Sequence, residues 1–230
     1  MSIADAEISE GIESMSEKRA TIPLPAPRFD SDYSIEKALL SRRSVRNYSS
    51  EALSPAELAQ LLWACQGLSG AETWRWGARQ VRTNYRTAPS AGALYPLEVY
   101  TLAQRIVGLE PGLYHYLPGP GRDCHGLELL RQGERSADLA DAALAQKSVA
   151  EAAANIIIGG VVERMAVKYG RRARQYVLME VGHAAQNLCL QAQSLGIGVV
   201  PIGAFSDEEV RTFIGEGVEV FYILSVGKIR

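Results

Sequence analysis

A cluster of arginine and serine residues has the side chains best suited to chemistry in this sequence. The segment SRRSVRNY, residues 41–48, places Arg42, Arg43 and Arg46 beside Ser44. A guanidinium group can bind a phosphate through two parallel hydrogen bonds, and a neighbouring hydroxyl can add a third. The segment is therefore a candidate phosphate-binding site, although a solvated basic end of a helix has the same composition.

A second candidate is the stretch RTAPSAGALYPLEV, residues 86–99, which leads into a strand-like segment. Pro89 stiffens its start, because the proline ring fixes φ. Small side chains follow, so a flat ligand could approach the backbone closely. The small residues are Ser90, Ala91, Gly92 and Ala93. An ordinary turn before a strand is the alternative interpretation.

Composition and missing motifs exclude several function classes. The chain has 24 Lys and Arg against 26 Asp and Glu, so its charge gives no reason to expect a nucleic-acid partner. No dinucleotide, triphosphate, zinc-protease or serine-hydrolase motif occurs, and the three cysteines lack C-x-x-C spacing, so we expect no metal. The N-terminal segment lacks targeting features, and no apolar run reaches the roughly 20 residues of a membrane span. We therefore expect a cytoplasmic protein without a membrane partner.

Helical periodicity surrounds these motifs. Ser54 and Glu57 have the spacing of a capping box, with Pro55 at the favoured first position of a helix. The longest pattern, residues 174–195, has a broad apolar face that suits a buried central helix. The segments with helical patterns are residues 35–43, 55–66, 136–146, 174–195 and 206–215.

Strand patterns alternate with the helices, but not in a strict βαβ rhythm, so an α+β sheet covered by helices is the predicted class. The predicted strands are residues 99–103, 113–117, 155–158 with Val161 and Val162, 197–202 and 218–226. The proline-rich residues 21–27 are interpreted as an extended arm, which either contacts a second subunit or is a plain linker. The predicted organisation is an N-terminal arm, 1–27, and one domain, 28–230.

Together these motifs resemble the nitroreductase family, and within it the SagB-type branch, which includes thiazole/oxazole dehydrogenases. The similar segments are SRRSVRNY, PSAGALYP, GLYHYLP, KYGRRARQYVLMEVGHAAQNLCLQAQSLGIG, PIGAF and SVGK. They extend over nearly the whole chain after its first 20 or so residues. The resemblance implies a nitroreductase-like α+β fold, with a central, mostly antiparallel sheet flanked by helices. It also implies an intertwined homodimer with two FMN sites, each built from both subunits.

The resemblance further implies a set of FMN-binding residues. The arginine-rich segment would hold the phosphate and ribityl chain or the pyrimidine edge of the ring, through Arg42, Arg43, Ser44 and Arg46. The small-residue loop would come from the other subunit, with Pro89, Ser90, Ala91, Gly92 and Ala93.

Further implied positions lie in the C-terminal half. Gln146 would present its amide to the flavin pyrimidine, which needs both a donor and an acceptor, or it is an exposed residue at a helix end. A segment whose backbone N–H groups point at flavin N5 consists of Pro201, Ile202, Gly203 and Ala204. Lys228 and Arg230 match basic phosphate ligands, although a charged chain end is also ordinary in soluble proteins.

A Lys-Tyr pair, Lys168 and Tyr169, matches a pair implicated in substrate proton removal in azoline-oxidising members. A phenol or a desolvated lysine can act as a base, so these are the predicted catalytic residues, with a structural role as the alternative. In the long helix, Glu180 is expected to form a salt bridge and His183 to be a satisfied core histidine.

An aromatic and basic segment, residues 72–82, precedes the small-residue loop. It contains Trp74, Arg75 and Arg82, among others. We interpret it as a loop that is either a lid, stacking on substrate or attracting an anion such as nicotinamide phosphate, or a surface loop held by buried tryptophans.

The function implied by the resemblance is an FMN-dependent oxidoreductase that transfers hydride through flavin N5, from NAD(P)H to a small organic acceptor. One alternative is an FMN-dependent dehydrogenase that oxidises an azoline-type or other small substrate. Another is a flavin- or peptide-binding subunit without turnover. No additional domain of the kind that delivers peptide substrates is evident, which disfavours peptide modification.

Overall fold

The architecture is taken from a computed structural model that describes residues 21–76 and 79–230. Its strands are β1 (Thr21–Pro23), β2 (Leu68–Trp76), β3 (Arg79–Arg86), β4 (Leu97–Ala103), β5 (Gly112–Gly121), β6 (Cys124–Gln132), β7 (Ala154–Gly160), β8 (Ile197–Ile202) and β9 (Glu219–Lys228). In this part of the chain, seven strands form one sheet in the order β1-β6-β5-β4-β7-β9-β8, and β2 and β3 form a separate hairpin. All of these pairings are antiparallel.

Helices cover both faces of the sheet. They are α1 (Ile35–Ser41), α2 (Pro55–Gln66), α3 (Ser136–Ala142), α4 (Lys147–Glu151), α5 (Val162–Tyr169), α6 (Ala173–Ser194) and α7 (Asp207–Ile214). The predicted α+β class, with an antiparallel sheet flanked by helices, is therefore confirmed. None of the helices in the described ranges is long and apolar enough to cross a membrane.

Two hydrophobic clusters lie on opposite faces of the sheet. Side chains alternate along a strand, so Ile156 and Ile158 of β7 pack on the α2 and α6 side, while Ile157 packs on the α3 and α7 side. Strand β7 is thus buried on both faces, which explains its continuous apolar sequence. The central strands hold both helical layers at fixed positions.

Local signals define the helix that supports the arginine-rich segment. The Ser54 side chain accepts from the Glu57 amide, and Glu57 accepts from the Ser54 amide, which is the predicted capping box. Helix α2 therefore has the predicted bounds, and strand β8 also matches its prediction. The long central helix differs by one residue at each end.

The predicted helix over residues 136–146 is too long, because only residues 136–142 are helical. Helix α3 ends at Ala142, because Leu144 and Ala145 adopt φ values of 59° and 56°, in the left-handed region. Gln146 then precedes the separate helix α4. The prediction that Val161 and Val162 extend a strand is also wrong, since Val162 begins α5.

The aromatic and basic segment predicted as a loop is a β-hairpin. Residues with high strand propensity recur in β2 and β3, including Thr73, Trp74, Thr83 and Tyr85. Trp74 is 54% exposed, so the alternative of a loop held by buried tryptophans is wrong for this residue. The hairpin projects an aromatic side chain into solvent.

Part of the predicted N-terminal arm belongs to the sheet. Thr21–Pro23 pairs with Gly126–Glu128 of β6, and the Leu24 amide donates to the His125 carbonyl at 3.0 Å. The contact is within the chain. Residues 1–20 of the predicted arm lie outside the described residues.

Candidate functional site

The arginine-rich segment lies extended against β8, an edge strand of the sheet. Ser44 forms a parallel bridge with Val199, and the Val45 amide donates to the Val199 carbonyl at 2.9 Å. Gly198 permits this approach, because a Cβ atom there would lie 2.8 Å from the Val45 side chain. Ser44 and Arg46 remain exposed, so the segment presents polar side chains along the sheet edge.

The arginines of this segment differ in their surroundings. Arg43 Nη1 donates to the carbonyls of Leu40 at 3.0 Å and Arg42 at 2.8 Å, so its guanidinium satisfies the C-terminal end of α1. Arg42 is half-buried, and its positive charge lies close enough to the thiol of Cys189 in α6 to affect the pKa of that thiol. Burial raises the pKa of Cys189 to about 11, and the charge of Arg42 opposes that increase. Arg42 and Arg46 therefore fit a phosphate-binding role better than Arg43 does.

The far end of β8 carries a second part of the predicted site. Pro201 and Ile202 end the strand, and Ile202 is buried in the core, whereas Gly203 and Ala204 are exposed. The Gln146 side-chain amide donates from Nε2 to the Ala204 carbonyl at 3.1 Å. The structure thus brings Gln146 to the segment predicted to face flavin N5.

These two parts are separated by a distance that suits an elongated ligand. Val199 lies beside Ser44, and Ala204 lies beside Gln146. Five residue steps of nearly extended chain span about 17 Å. A ligand with a phosphate at one end and a polar ring at the other would match this arrangement. The residues along β8 therefore fit an FMN molecule, by their donor types and their spacing.

The C-terminal basic residues lie beside the arginine-rich segment but already have partners. Lys228 forms a salt bridge with Glu57 in the capping box of α2. Burial raises the pKa of Glu57, but hydrogen bonds from Lys228 and Ser54 outweigh it and lower the pKa below its usual range. Arg230 Nε donates to the Tyr48 carbonyl at 2.7 Å. Lys228 thus fixes the C-terminal strand to α2, and Arg230 fixes the chain end to the arginine-rich segment.

The small-residue loop is held by a buried carboxylate. Ser90 Oγ and the Ala91 amide both donate to Glu180 Oε1 at 2.9 Å, and the Tyr95 amide donates to Ser90 Oγ at 2.9 Å. Burial raises the pKa of Glu180, and these hydrogen bonds oppose the increase. Glu180 Oε2 is buried without a partner among the described residues. The loop conformation therefore depends on one side chain of α6.

The predicted catalytic pair lies against the same loop. Gly92 has φ of 64°, and a Cβ atom at that position would lie 2.7 Å from Lys168 Nζ and 2.8 Å from the Tyr169 hydroxyl. Ala93 also has positive φ, at 55°, which is strained for a residue with a side chain. Pro89 and Gly92 are exposed. Only glycine permits this approach of the pair to the loop.

Two expectations for the central helix are wrong. Glu180 forms no salt bridge with a described residue, and instead hydrogen-bonds to the loop. His183 is exposed and is not a core histidine. The role of Glu180 is not predictable from the sequence, because its partners lie 90 and 89 residues earlier and no local pattern connects the two segments.

The site residues thus form two clusters. The edge-strand cluster consists of Arg42, Ser44, Arg46, Gln146, Gly203 and Ala204. The loop cluster consists of Pro89, Ser90, Ala91, Gly92, Ala93, Lys168, Tyr169 and Glu180. Across the described residues, no hydrogen bond or salt bridge joins the two clusters. The edge-strand cluster lies along β8 and the small-residue loop leads into β4, and strands β7 and β9 lie between these two strands.

The family model described as "Nitroreductase family" matches residues 39–228, which include both clusters. The chain belongs to the nitroreductase family. Membership supports a flavin-dependent oxidoreductase in general terms, and FMN is the typical cofactor of nitroreductases.

Several nitroreductase-like proteins are similar over most of the chain. A protein of Methanocaldococcus jannaschii named "Putative nitroreductase" is 38% identical over 208 residues, which cover 90% of this chain and 97% of that protein. A crystal structure with the same description, from Anabaena variabilis, has a TM-score of 0.75 at 28% identity. It covers 92% of this chain, but this chain spans only 42% of that one.

One further similarity shows the fold alone. A chain of the E. coli microcin synthetase McbBCD complex, solved with truncated pro-MccB17 bound, has a TM-score of 0.64 at 21% identity. The match covers 100% of this chain and 83% of that chain.

Proposed function

We propose that this nitroreductase-family chain is an FMN-dependent oxidoreductase that acts as a homodimer, taking electrons from NAD(P)H and passing them to a small organic acceptor. The observation that carries the proposal is that the two clusters of predicted site residues lie at different strands of one sheet, β8 and β4, which are three strand spacings apart. A twofold dimer would place the edge-strand cluster of each subunit beside the loop cluster of the other. Each site would then be built from both chains.

Exposed apolar side chains support the dimer. Helix α1 exposes Ile35, Leu39 and Leu40 at 55%, 56% and 78%, and α6 exposes Leu178 and Met179 at 43% and 54%. Monomeric proteins rarely expose large contiguous apolar patches. Helices α1 and α6 pack on each other, so one interface between two copies of the chain would cover exposed apolar residues of both helices.

The residues of the edge-strand cluster would hold the cofactor from phosphate to ring. Arg42 and Arg46 would bind the phosphate, with the hydroxyl of Ser44 as an additional donor. The amide of Gln146 would meet the pyrimidine edge, and the exposed backbone at Gly203 would lie near the reacting part of the ring. When bound, FMN supplies reversible hydride acceptance at N5.

A second candidate function is a SagB-type dehydrogenation of an azoline-type or other small substrate. One observation favours it: Lys168 and Tyr169 lie against the loop at Gly92. In this reaction, Tyr169 or Lys168 would accept a proton from the substrate carbon. Lys168 is exposed, so a substrate could reach it from solvent.

Anaerobic spectroscopy of the FMN-loaded protein tests the proposal. We expect a bound flavin spectrum, rapid bleaching by NADH or NADPH, and recovery of the colour when a nitroaromatic acceptor is added. Purified protein that takes up no FMN would contradict the proposal. A flavin that resists both nicotinamides but is bleached by an azoline substrate would instead support the second candidate. Sedimentation of the holoprotein as a monomer would contradict the shared site.

A further inference from the structure

The hairpin of β2 and β3 has one basic face. Side chains alternate along a strand, so Arg82, Asn84 and Arg86 of β3 share a face. The acidic residue of the hairpin, Glu72, lies on the other face, where its carboxylate accepts from the Tyr85 hydroxyl at 2.9 Å. The basic face is thus not neutralised by the hairpin's own acid.

This face lines a cavity that reaches the small-residue loop. A cavity of about 400 Å³ lies between Arg82 and Arg86 on one side and Gly92 and Tyr95 on the other. A neighbouring cavity of about 310 Å³ also borders Arg82 and extends to Arg122 in the β5–β6 turn. Among the described residues that line the two cavities, none is acidic. Arg82 and Arg86 therefore border the cavity that reaches the proposed flavin contact at Gly92, and Arg122 borders the neighbouring cavity, which shares Arg82 with it.

None of these three arginines forms a salt bridge with a described residue. Arg86 Nη1 donates to Gln66 Oε1 at 3.1 Å, and its guanidinium lies 5.1 Å from the centre of the Tyr95 ring. Burial lowers the pKa of Arg86, with Glu98 opposing the decrease from a distance. A partly desolvated cation without a paired carboxylate favours an anionic ligand.

We infer that this cavity binds the anionic group, a carboxylate or a phosphate, of the molecule that exchanges electrons at the site. The inference rests on the proposed function and specifies its substrate class. Arg82 and Arg86 can each bind such a group through two parallel hydrogen bonds. Gly92 lines the cavity and belongs to the loop cluster. An anion bound in the cavity would therefore place the rest of its molecule toward the proposed flavin. The anion belongs either to the acceptor or to the phosphate of NADPH.

Binding to the oxidised, FMN-loaded protein tests the inference directly. The variants are Arg82→Gln and Arg122→Gln, with Arg131→Gln as the matched control, because Arg131 is exposed near the other end of β6. Arg86 stays unchanged, since it also supports Gln66. The ligands are 4-nitrobenzoate against neutral 4-nitrobenzyl alcohol, and NADP⁺ against NAD⁺, each titrated by calorimetry. The oxidised nucleotides carry the same phosphate difference as NADPH and NADH but cannot reduce the flavin during the titration.

We expect the Kd of the anionic member of at least one pair to increase by about tenfold in Arg82→Gln, and that of the neutral or less charged member to stay unchanged. An effect on 4-nitrobenzoate identifies the acceptor as the source of the anion, and an effect on NADP⁺ identifies the nicotinamide nucleotide. Equal affinities in Arg82→Gln, Arg122→Gln and Arg131→Gln for all four ligands would overturn the inference.

Turnover is measured separately from binding. Normal flavin bleaching and recovery, together with binding that does not depend on the arginines, would overturn the inference and leave the proposed function intact. Arginine-dependent binding to a protein whose flavin is never reduced by a nicotinamide would overturn the proposed function instead.

Discussion

Replacing Glu180 by alanine tests whether one buried carboxylate determines the conformation of the small-residue loop. Its Oε1 accepts two hydrogen bonds of 2.9 Å, from Ser90 Oγ and the Ala91 amide. Each such bond contributes about 0.5–1.5 kcal/mol net, so losing both costs about 1–3 kcal/mol. In a chain of this length, 1 kcal/mol corresponds to a Tm shift of about 2–4 °C. We therefore expect Glu180→Ala to lower the Tm by about 2–12 °C, and to weaken FMN binding with it.

Glu180→Gln separates the hydrogen bonds from the charge, because its amide oxygen can still accept both bonds. Burial raises the pKa of Glu180 above the ordinary 4.5, while Ala91, Ser90, His183 and Arg86 oppose the increase. The folded state thus holds the proton more tightly than the unfolded state. The carboxyl group therefore contributes most stability below pH 4.5 and loses it as the pH rises through the raised pKa.

Calorimetry from pH 4.5 to pH 8 measures this effect. We expect the Tm of the wild type, relative to that of Glu180→Gln, to decrease as the pH rises. A relative Tm that stays constant or increases with pH would refute the argument about burial. An unchanged Tm in Glu180→Ala would refute the role of the carboxylate in the loop.

Three further predictions concern the same two clusters. Gly92→Ala should cost about 1–2 kcal/mol of stability by chemical denaturation, because φ is 64° and the new Cβ would meet Lys168 Nζ. Arg42→Ala should raise the FMN Kd about 10- to 150-fold, because it loses a charge-assisted hydrogen bond of about 1.5–3 kcal/mol. Arg43→Ala should raise the Kd less, since the Arg43 guanidinium already donates to the Leu40 carbonyl. Fluorescence titration of FMN compares the two variants. Glu57→Gln should destabilise the chain at neutral pH, where the lowered pKa of Glu57 contributes stability. The difference in unfolding free energy should decrease as the pH falls below 4.5, the ordinary pKa, and through the lowered pKa of Glu57. Urea denaturation of both proteins at neutral and at acidic pH measures it, and a difference that is the same at both pH values would contradict the prediction.

The sequence predicts elements well where the determining interactions are local. The capping residues of helix α2, Ser54 and Glu57, lie within one turn, and Gly67 follows its last residue. Both ends of the helix are therefore predictable from the local sequence. Helix α3 is predicted too long because its alanine-rich continuation favours a helix. The backbone nonetheless turns at Leu144 and Ala145, and no glycine or proline marks the change.

The candidate site is predictable in its parts but not in its connections. Local composition identifies the arginine-rich segment and the small-residue loop. The link from Ser90 to Glu180 spans 90 residues and depends on packing of the loop against α6, which no local pattern expresses. The sequence of residues 72–82 does not distinguish a loop from a hairpin, because aromatic and basic residues are compatible with either form, and only the pairing between β2 and β3 separates them.

The strand order gives a physical reason why the two clusters lie apart on one chain. The edge-strand cluster follows β8, whereas the loop cluster precedes β4, and β7 and β9 lie between these strands. Three strand spacings of about 4.8 Å separate β4 from β8 by about 14 Å. Both intervening strands are central members of the sheet, so the separation cannot close without breaking it. A second copy of the chain can supply the loop without breaking the sheet. In a twofold dimer the edge-strand cluster of each subunit can face the loop cluster of the other, so two equivalent sites form. The exposed apolar residues of α1 and α6 then become the buried part of that contact, which links dimerisation directly to cofactor retention.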